Sequence, residues 1–296
     1  MTSALPDSLQ DLETLPRMPA WVGSGRAETL CDAAFCSGAA LAHLHIVLHR
    51  EAVPQNLLRA RLALQAAEVC VGFSGRPERA GDLRDAVHLL RPGDLPGPAG
   101  EIYLTWRRAI ERRVSIKVLH RVLPQRDANQ IAVWMDAGQG GPVARSASVL
   151  AAVLMQDPRA ETDAVLLADA ALSQALGWSH VVPLLSFGLK RADLRKREAD
   201  LQHACHRAAT ASAAVALQMA ADLGRKAARL NAIAPKLRAK GAGAAVEMFL
   251  TRDAVAPAAL TSLNSDRAAR RFCDRMVALG VARELTGRDS FRLYGV

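Results

Sequence analysis

The final stretch of the chain, residues 261–296, constrains the fold most, because it combines an amphipathic helix with a pair of strand patterns joined by a turn. At about 100° per residue, apolar side chains after residue 266 fall on one helical face and arginines on the other. The apolar face holds Ala269, Phe272, Cys273, Met276 and Leu279, and the polar face holds Arg267, Arg270, Arg271, Asp274 and Arg275. Such a helix packs one face on a core and leaves its arginines in water.

Cap residues bound this helix at both ends. Ser265 or Asp266 is suited to cap the first turn, and Gly280 follows the last periodic apolar residue, where a left-handed residue commonly ends a helix. Two shorter helices are predicted before it, over residues 244–250 and 257–263. The segment therefore begins with three helices.

A hairpin is predicted after the third helix. Residues 281–286 and 290–294 read as strands, and Gly287 stands where a type II′ turn requires a positive φ. Arg288 then lies at the hairpin tip and Arg292 on its second strand. Three helices followed by a hairpin predict a winged helix-turn-helix.

The rest of the chain favours helix packed on helix. Half of the residues are hydrophobic but only 4 % are aromatic, and alanine and leucine dominate. We expect an all-α helical bundle over residues 21–240, containing two related halves at about 21–137 and 143–240 if a faint internal repeat is real. A mobile arm over 1–20 precedes it and the winged helix-turn-helix over 241–296 follows it.

Positive charge is concentrated in the C-terminal third. The net charge is +9, yet residues 1–188 hold 18 Lys and Arg against 19 Asp and Glu, whereas residues 189–240 hold 12 against 4 and residues 241–296 hold 8 against 6. The segment leading into the winged helix carries Lys236, Arg238 and Lys240. A basic region beside a helix-turn-helix predicts contact with DNA phosphates, and a merely solvated helix face is the alternative.

Other features bear on compartment and membrane. Five scattered cysteines without a C-x-x-C pair are typical of a reduced, cytoplasmic protein. Acidic residues near the start give the wrong charge order for a secretory signal. The longest uncharged run, residues 170–189, contains polar residues and a proline, so we expect no membrane span.

No known catalytic or metal-binding motif is present. His45 and His49 lie one helical turn apart, as do His203 and His206, but nothing in the sequence completes a metal site around either pair. We therefore expect no catalytic residue, no metal and no cofactor. An enzyme whose active site is assembled only by the helical fold stays open.

Two resemblances add to this interpretation. The whole chain resembles a family of uncharacterised bacterial proteins that carries a domain of unknown function and is found mostly on plasmids and integrated mobile elements. The residues behind this resemblance are 74–100, 168–178 and 235–252. The C-terminal segment, with its LGVARELTGR stretch, resembles the winged-helix ends of Fic/DOC-type proteins. The Fic catalytic signature is absent, so this resemblance implies a DNA-binding fold and no catalysis.

The leading hypothesis is a DNA-binding regulator or accessory factor of a mobile element, acting on double-stranded DNA alone or as a homodimer. Its third helix would enter the major groove, the hairpin would touch backbone or minor groove, and the linker would follow the backbone. The residues assigned to these three contacts are Arg267, Arg270, Arg271 and Arg275; Arg288 and Arg292; and Lys236, Arg238 and Lys240. The alternatives are a subunit whose winged helix docks a protein partner, and an enzyme.

Overall fold

The computed structural model describes residues 18–24, 27–91 and 93–296. Most of the predicted arm over 1–20 lies outside the described residues. The helices of the first part are α1 Ala20–Ser24, α2 Leu30–Leu48, α3 Gln55–Phe73, α4 Ala80–His88, α5 Gly97–Glu111, α6 Ile116–Val122 and α7 Ala128–Asp136. They are followed by α8 Pro142–Gln156, α9 Glu161–Ala175, α10 Leu185–Gly188, α11 Glu198–Ile233, α12 Ala242–Thr251 and α13 Asp266–Ala278, and by strands β1 Arg283–Glu284 and β2 Tyr294–Gly295. The predicted helical class is thus confirmed.

The longest helix, α11, forms the centre of the bundle. It packs along α2 and also contacts α3, α8 and α10. Its buried face consists largely of small side chains, which let neighbouring helices approach closely. These include Ala204, Ala208, Ala209, Ser212, Ala213, Ala216 and Ala220. The alanine-rich run over 208–221 is therefore a core element, although Val215 on its outer side is exposed.

A buried carboxylate fixes the short helix α10 beneath α11. Asp169, fully buried on α9, accepts hydrogen bonds from the backbone N–H groups of Leu184, Leu185 and Ser186 at 3.0, 2.7 and 3.1 Å. Burial raises the pKa of Asp169 to about 6, although these hydrogen bonds act in the opposite direction. Gly188 then packs directly on Ala208, where an added Cβ would lie 2.8 Å from the backbone oxygen.

The helix α2 is apolar along most of its length. By length and composition alone it could cross a membrane, and 33 % of its apolar stretch is buried inside the protein. It begins with a capping box in which Thr29 Oγ1 accepts from the N–H of Asp32 at 3.1 Å. Within the fold described here, α2 is one of the core helices against α11.

Candidate nucleic-acid interface

The arginine-bearing helix α13 has the bounds that its sequence predicts. Ser265 is the N-cap, its hydroxyl accepting from the N–H of Ala268 at 3.2 Å, and Gly280 follows the helix with φ +68°. One face is buried in the C-terminal core through Ala269, Phe272, Cys273 and Met276. Phe272 there lies 6.4 Å from Phe249 of α12, centroid to centroid.

The opposite face presents unpaired positive charge. Its four arginines are Arg267, Arg270, Arg271 and Arg275, and all are exposed. No carboxylate in the described part of the chain lies within ion-pair distance of them, in contrast to most other arginines near this segment. Asp274, which lies among them, instead accepts a hydrogen bond from the Tyr294 hydroxyl at 3.3 Å. The structure therefore brings the four predicted contact residues onto one open surface.

The strand pairing links three parts of the C-terminal segment. β1 and β2 are antiparallel, with Arg283 opposite Gly295 and Glu284 opposite Tyr294. Val255, between α12 and α13, forms an isolated antiparallel bridge to Tyr294, with backbone hydrogen bonds of 2.8 and 2.9 Å. The order is therefore helix, bridging residue, turn, helix and hairpin.

Two details of this segment differ from the sequence prediction. The second helix, expected over 257–263, is a single 3-10 turn at Pro257–Ala259, because the segment is short and its apolar residues lack helical periodicity. The prediction of a two-residue turn at Gly287 is also wrong. The N–H of Leu285 bonds the Leu293 carbonyl at 2.8 Å, which leaves a longer loop between them. Glu284 stabilises that loop by accepting from the N–H groups of residues 286 and 287.

The hairpin arginines are engaged within the protein. Arg288 donates to Asp85 Oδ1 of α4 at 2.7 Å, so the loop that carries it rests against the helical body. The Arg292 side chain donates to the Arg288 carbonyl at 2.8 Å and lies 3.5 Å from Asp289. Arg288 is therefore held against α4, whereas Arg292 lies beside Tyr294, whose hydroxyl bonds Asp274 on the open face of α13.

The basic linker lies close to the start of α13. Lys236, Arg238 and Lys240 are all exposed. Gly241, the next residue, has φ +86° and accepts a hydrogen bond from the Ser262 hydroxyl at 3.1 Å. Since Ser262 precedes the Ser265 cap by three residues, this contact places the end of the linker near the start of α13.

Gly241 itself is required by this packing. A Cβ at position 241 would overlap the Ser262 carbonyl, and the left-handed backbone disfavours any L side chain there. We expect Gly241→Ala to lower the free energy of unfolding by more than about 1 kcal/mol. Gly243→Ala in α12, where nothing lies within 4 Å of the new Cβ, is the matched control. It should be neutral or stabilising in urea denaturation; equal losses would contradict this role for Gly241.

A buried ion cluster anchors the C-terminal segment on α3 and α4. Asp253, only 3 % exposed, accepts two hydrogen bonds from Arg84, at 2.6 and 3.1 Å, and forms an ion pair with Arg61, whose Nε lies 2.7 Å from Oδ1. Arg61 also donates to the backbone oxygen of Val296 at 3.0 Å. Burial acts to raise the pKa of Asp253, but the Arg84 hydrogen bond and the two guanidinium charges hold it below its usual value. Asp253 is therefore ionised and fixes residues 241–296 to the body.

The comparison with known proteins agrees with the expectation of a domain of unknown function that covers nearly the whole chain. A family model matches residues 6–296. The chain belongs to the DUF1403 family. Its members are proteins of unknown function, and no curated protein matches the chain.

The anchoring residues of the DUF1403 chain were not singled out by its sequence. Arg61 and Arg84 read as ordinary polar positions on helices α3 and α4, and Asp253 as part of a loop. The partners lie 192 and 169 positions apart, so no local pattern could have paired them. Their signal in the sequence is weak: Arg61 falls on the otherwise apolar face of α3.

A second feature missed from the DUF1403 sequence is a cavity of about 680 Å³ between α2, α8 and α11. It is mostly apolar, and at its wall Ser37 Oγ lies 2.7 Å from His206 Nδ1. The Ser37 hydroxyl also donates to the Ala34 carbonyl at 3.0 Å. In the described part of the chain, no acid bonds the other ring nitrogen of His206, so the pair lacks the third group that orients a catalytic histidine. No group of three metal-ligating side chains occurs in the described residues.

His88 of the DUF1403 chain lies beside the anchor and is half-buried, and its Nε2 is buried without a hydrogen-bond partner. Burial and then the charge of Arg107 lower its pKa to about 4. The pKa of the unfolded side chain is about 6.5. As the pH falls, the unfolded state therefore binds a proton before the folded state does. Stability is therefore lost between pH about 6.5 and about 4.

Replacing His88 by asparagine should remove this acid sensitivity. The quantity compared is the free energy of unfolding of the wild type minus that of His88→Asn. We expect this difference to fall by up to about 3 kcal/mol from pH 6.5 to pH 4. Urea denaturation at several pH values measures the difference, which isolates His88 from other titrating groups. His120→Asn, at an exposed position on α6, is the control, and a pH-independent difference for His88→Asn would contradict the assignment.

Proposed function

We propose that this DUF1403 protein is a non-enzymatic protein that binds double-stranded DNA through α13. The observation that carries the proposal is the face of four exposed arginines, none with a carboxylate partner in the described residues. Surface arginines within a folded protein commonly acquire ion pairs, as Arg288 and Arg292 do here. A helix that keeps four of them open is suited to polyanions.

The arrangement around α13 supports a winged-helix interpretation. The order that a winged helix requires is present: a bridge at Val255, the turn at Pro257–Ala259, the helix and the β1–β2 hairpin. Tyr294 pairs with Glu284 of β1 and with Val255. The buried apolar face of α13 fixes which side faces outward. In such modules the corresponding helix enters the major groove.

The contacts can be assigned by chemistry. The forked guanidinium groups of α13 suit phosphate oxygens and the O6/N7 edge of guanine. Lys236, Arg238 and Lys240, which precede the Gly241–Ser262 contact, would follow the backbone beside the first turn of α13. Arg288 would join them only by leaving Asp85. We extend the proposal to a regulator or accessory factor of a plasmid or mobile element, acting in the cytoplasm.

A second candidate is a subunit that binds another protein or a second copy of this chain. It is favoured by exposed aromatic surface on α1 and α2. Trp21 and Phe35 are 51 % and 67 % exposed and stack at 5.4 Å between centroids. Ile46, further along α2, is 54 % exposed. This surface is separate from the arginine face of α13 in the sequence and could serve together with it.

Fluorescence anisotropy with a labelled generic duplex tests the proposal on the full chain. From ~50 to ~300 mM salt, log affinity should fall linearly with log salt, with a slope equivalent to about four to six phosphates at ~0.9 per phosphate. Absence of binding at ~50 mM salt would contradict DNA binding and leave α13 as a docking surface for a protein.

A further inference from the structure

A cationic pocket of about 360 Å³ lies where the C-terminal segment meets the helical body, between α3, α4, α5 and the end of α12. Its volume is at the lower end of the ~300–1,000 Å³ of small-molecule sites. The charged and titratable groups at its wall include Arg59, His88, Arg107, Glu111, Arg252 and Asp253. The space is larger than a single inorganic ion requires.

Arg59 is the least compensated of these groups. Its side chain is half-buried, its Nε is buried without a hydrogen-bond partner, and burial lowers its pKa. One terminal nitrogen donates to Asn56 Oδ1 at 2.5 Å, and no carboxylate in the described residues is within ion-pair distance. A desolvated guanidinium without a counter-ion is costly. The protein tolerates this cost in the wall of an open pocket.

The other charges do not neutralise Arg59. Arg107 lies over the Tyr103 ring, 5.8 Å from its centroid, and has no ion pair among the described residues. Arg252 is exposed at the mouth. Of the two carboxylates, Asp253 is committed to Arg61 and Arg84, and Glu111 is exposed at the rim. The pocket therefore carries a net positive charge.

His88 completes the wall as a neutral group. The depressed pKa described above leaves it uncharged near pH 7, and its buried Nε2 is unpartnered. A neutral imidazole can donate one hydrogen bond and accept another. Burial, and then the charges of Arg59 and Arg113, likewise lower the pKa of His180.

From this arrangement we infer that the pocket binds a compact dianionic ligand, a phosphate ester or a dicarboxylate, held by Arg59, Arg107 and Arg252. Guanidinium forks match both kinds of oxyanion in bidentate geometry. His88 supplies a neutral hydrogen-bonding group beside them. The inference concerns a site other than the face of α13 and does not depend on DNA binding.

Binding would also bridge two parts of the fold. Arg59 and Arg107 belong to α3 and α5, whereas Arg252 follows α12 and adjoins the anchoring Asp253. A ligand held by all three would add a second link between the C-terminal segment and the body. Because it would bind only the folded arrangement, it should raise the unfolding temperature in a saturable way.

Isothermal titration calorimetry on the full chain tests the inference with two probes, glycerol 3-phosphate and succinate, at constant ionic strength set with chloride. We expect saturable binding of at least one probe, and the better one identifies the source of the oxyanion. Arg59→Gln and Arg107→Gln should weaken it by at least about tenfold, whereas Arg121→Gln on α6, an equal charge change outside the pocket, should not.

The outcome is decisive in either direction. If neither probe binds saturably up to ~10 mM, or if the pocket variants bind as well as the wild type, the inference is overturned. Arg252 is exposed, so Arg252→Gln should fold. This variant therefore tests the site even if Arg59→Gln or Arg107→Gln fails to fold. It too should weaken binding at least about tenfold, and unchanged binding in a folded Arg252→Gln would count against the site.

Discussion

Asp253→Ala is expected to lower the free energy of unfolding by about 3–5 kcal/mol. The carboxylate is 3 % exposed and is paired with Arg61 and Arg84 at N–O distances of 2.6–3.1 Å. Removing it leaves two guanidinium groups with little solvent access and no counter-charge. The loss should appear as a lower midpoint in urea denaturation.

The effect should be greatest in the C-terminal segment. Hydrogen exchange of α12 and α13 should accelerate before that of the central helix α11, because Asp253 links residues 241–296 to the body. Asp289→Ala is the matched control, since that carboxylate is fully exposed in the hairpin loop and its pair with Arg292 spans 3.5 Å. An exposed pair contributes no more than about 1 kcal/mol. Similar losses in the two variants would contradict an anchoring role for Asp253.

The anchor also has a pH signature. Arg84 and Arg61 hold the pKa of Asp253 below its usual value, despite burial. Its contribution is therefore present above the unfolded pKa of about 3.9 and is lost as the pH falls through the lower folded pKa. Truncation before residue 241 would be a poor test of DNA binding for the same reason, because it would unpair the two buried arginines as well as remove α13.

Replacing all four arginines of α13 with alanine is expected to lower affinity for duplex DNA by about 100-fold or more at ~150 mM salt. The salt slope should fall by about one for each phosphate that the helix no longer binds. The fold should survive, because the residues changed are Arg267, Arg270, Arg271 and Arg275, all exposed and unpaired, and alanine favours helix. Anisotropy, with the urea midpoint checked in parallel, measures both quantities. Unchanged affinity would exclude α13 as the DNA-binding element.

The same reasoning ranks the hairpin arginines lower. Arg288→Ala breaks a 2.7 Å pair with Asp85 and should affect docking of the loop more than DNA affinity. Arg292, bonded to the Arg288 carbonyl, is held in the same loop. The sequence alone assigned both arginines to DNA contact, because they were predicted to lie on the hairpin. It does not indicate which surface of the protein the loop contacts.

What the sequence could predict was local. The face of α13, its Ser265 cap and Gly280 follow from helical periodicity and from capping chemistry, which act within a few residues. The exposed arginines follow from the same periodicity. The nearly apolar composition of the alanine-rich part of α11 indicates burial, but only one side of it is buried, and Ala211, Val215 and Gln218 are exposed.

What the sequence could not predict depends on distant partners. Arg61, Arg84 and Asp253 meet only in the folded chain, and the uncompensated charge of Arg59 is visible only when its surroundings are known. The hairpin register failed for a different, local reason. Glu284 bonds the backbone of residues 286 and 287 and lengthens the loop, in competition with the turn that Gly287 suggested.

The most direct test of the central claim compares two matched double variants in salt-dependent anisotropy with duplex DNA. Arg267→Ala with Arg271→Ala changes α13, and Lys117→Ala with Arg121→Ala changes α6; each pair is exposed, spaced by four residues and removes two positive charges. If α13 binds DNA, the first variant should flatten the salt slope by about two and the second should leave it unchanged. Equal slopes for both variants would show that net charge alone governs binding and would contradict the account.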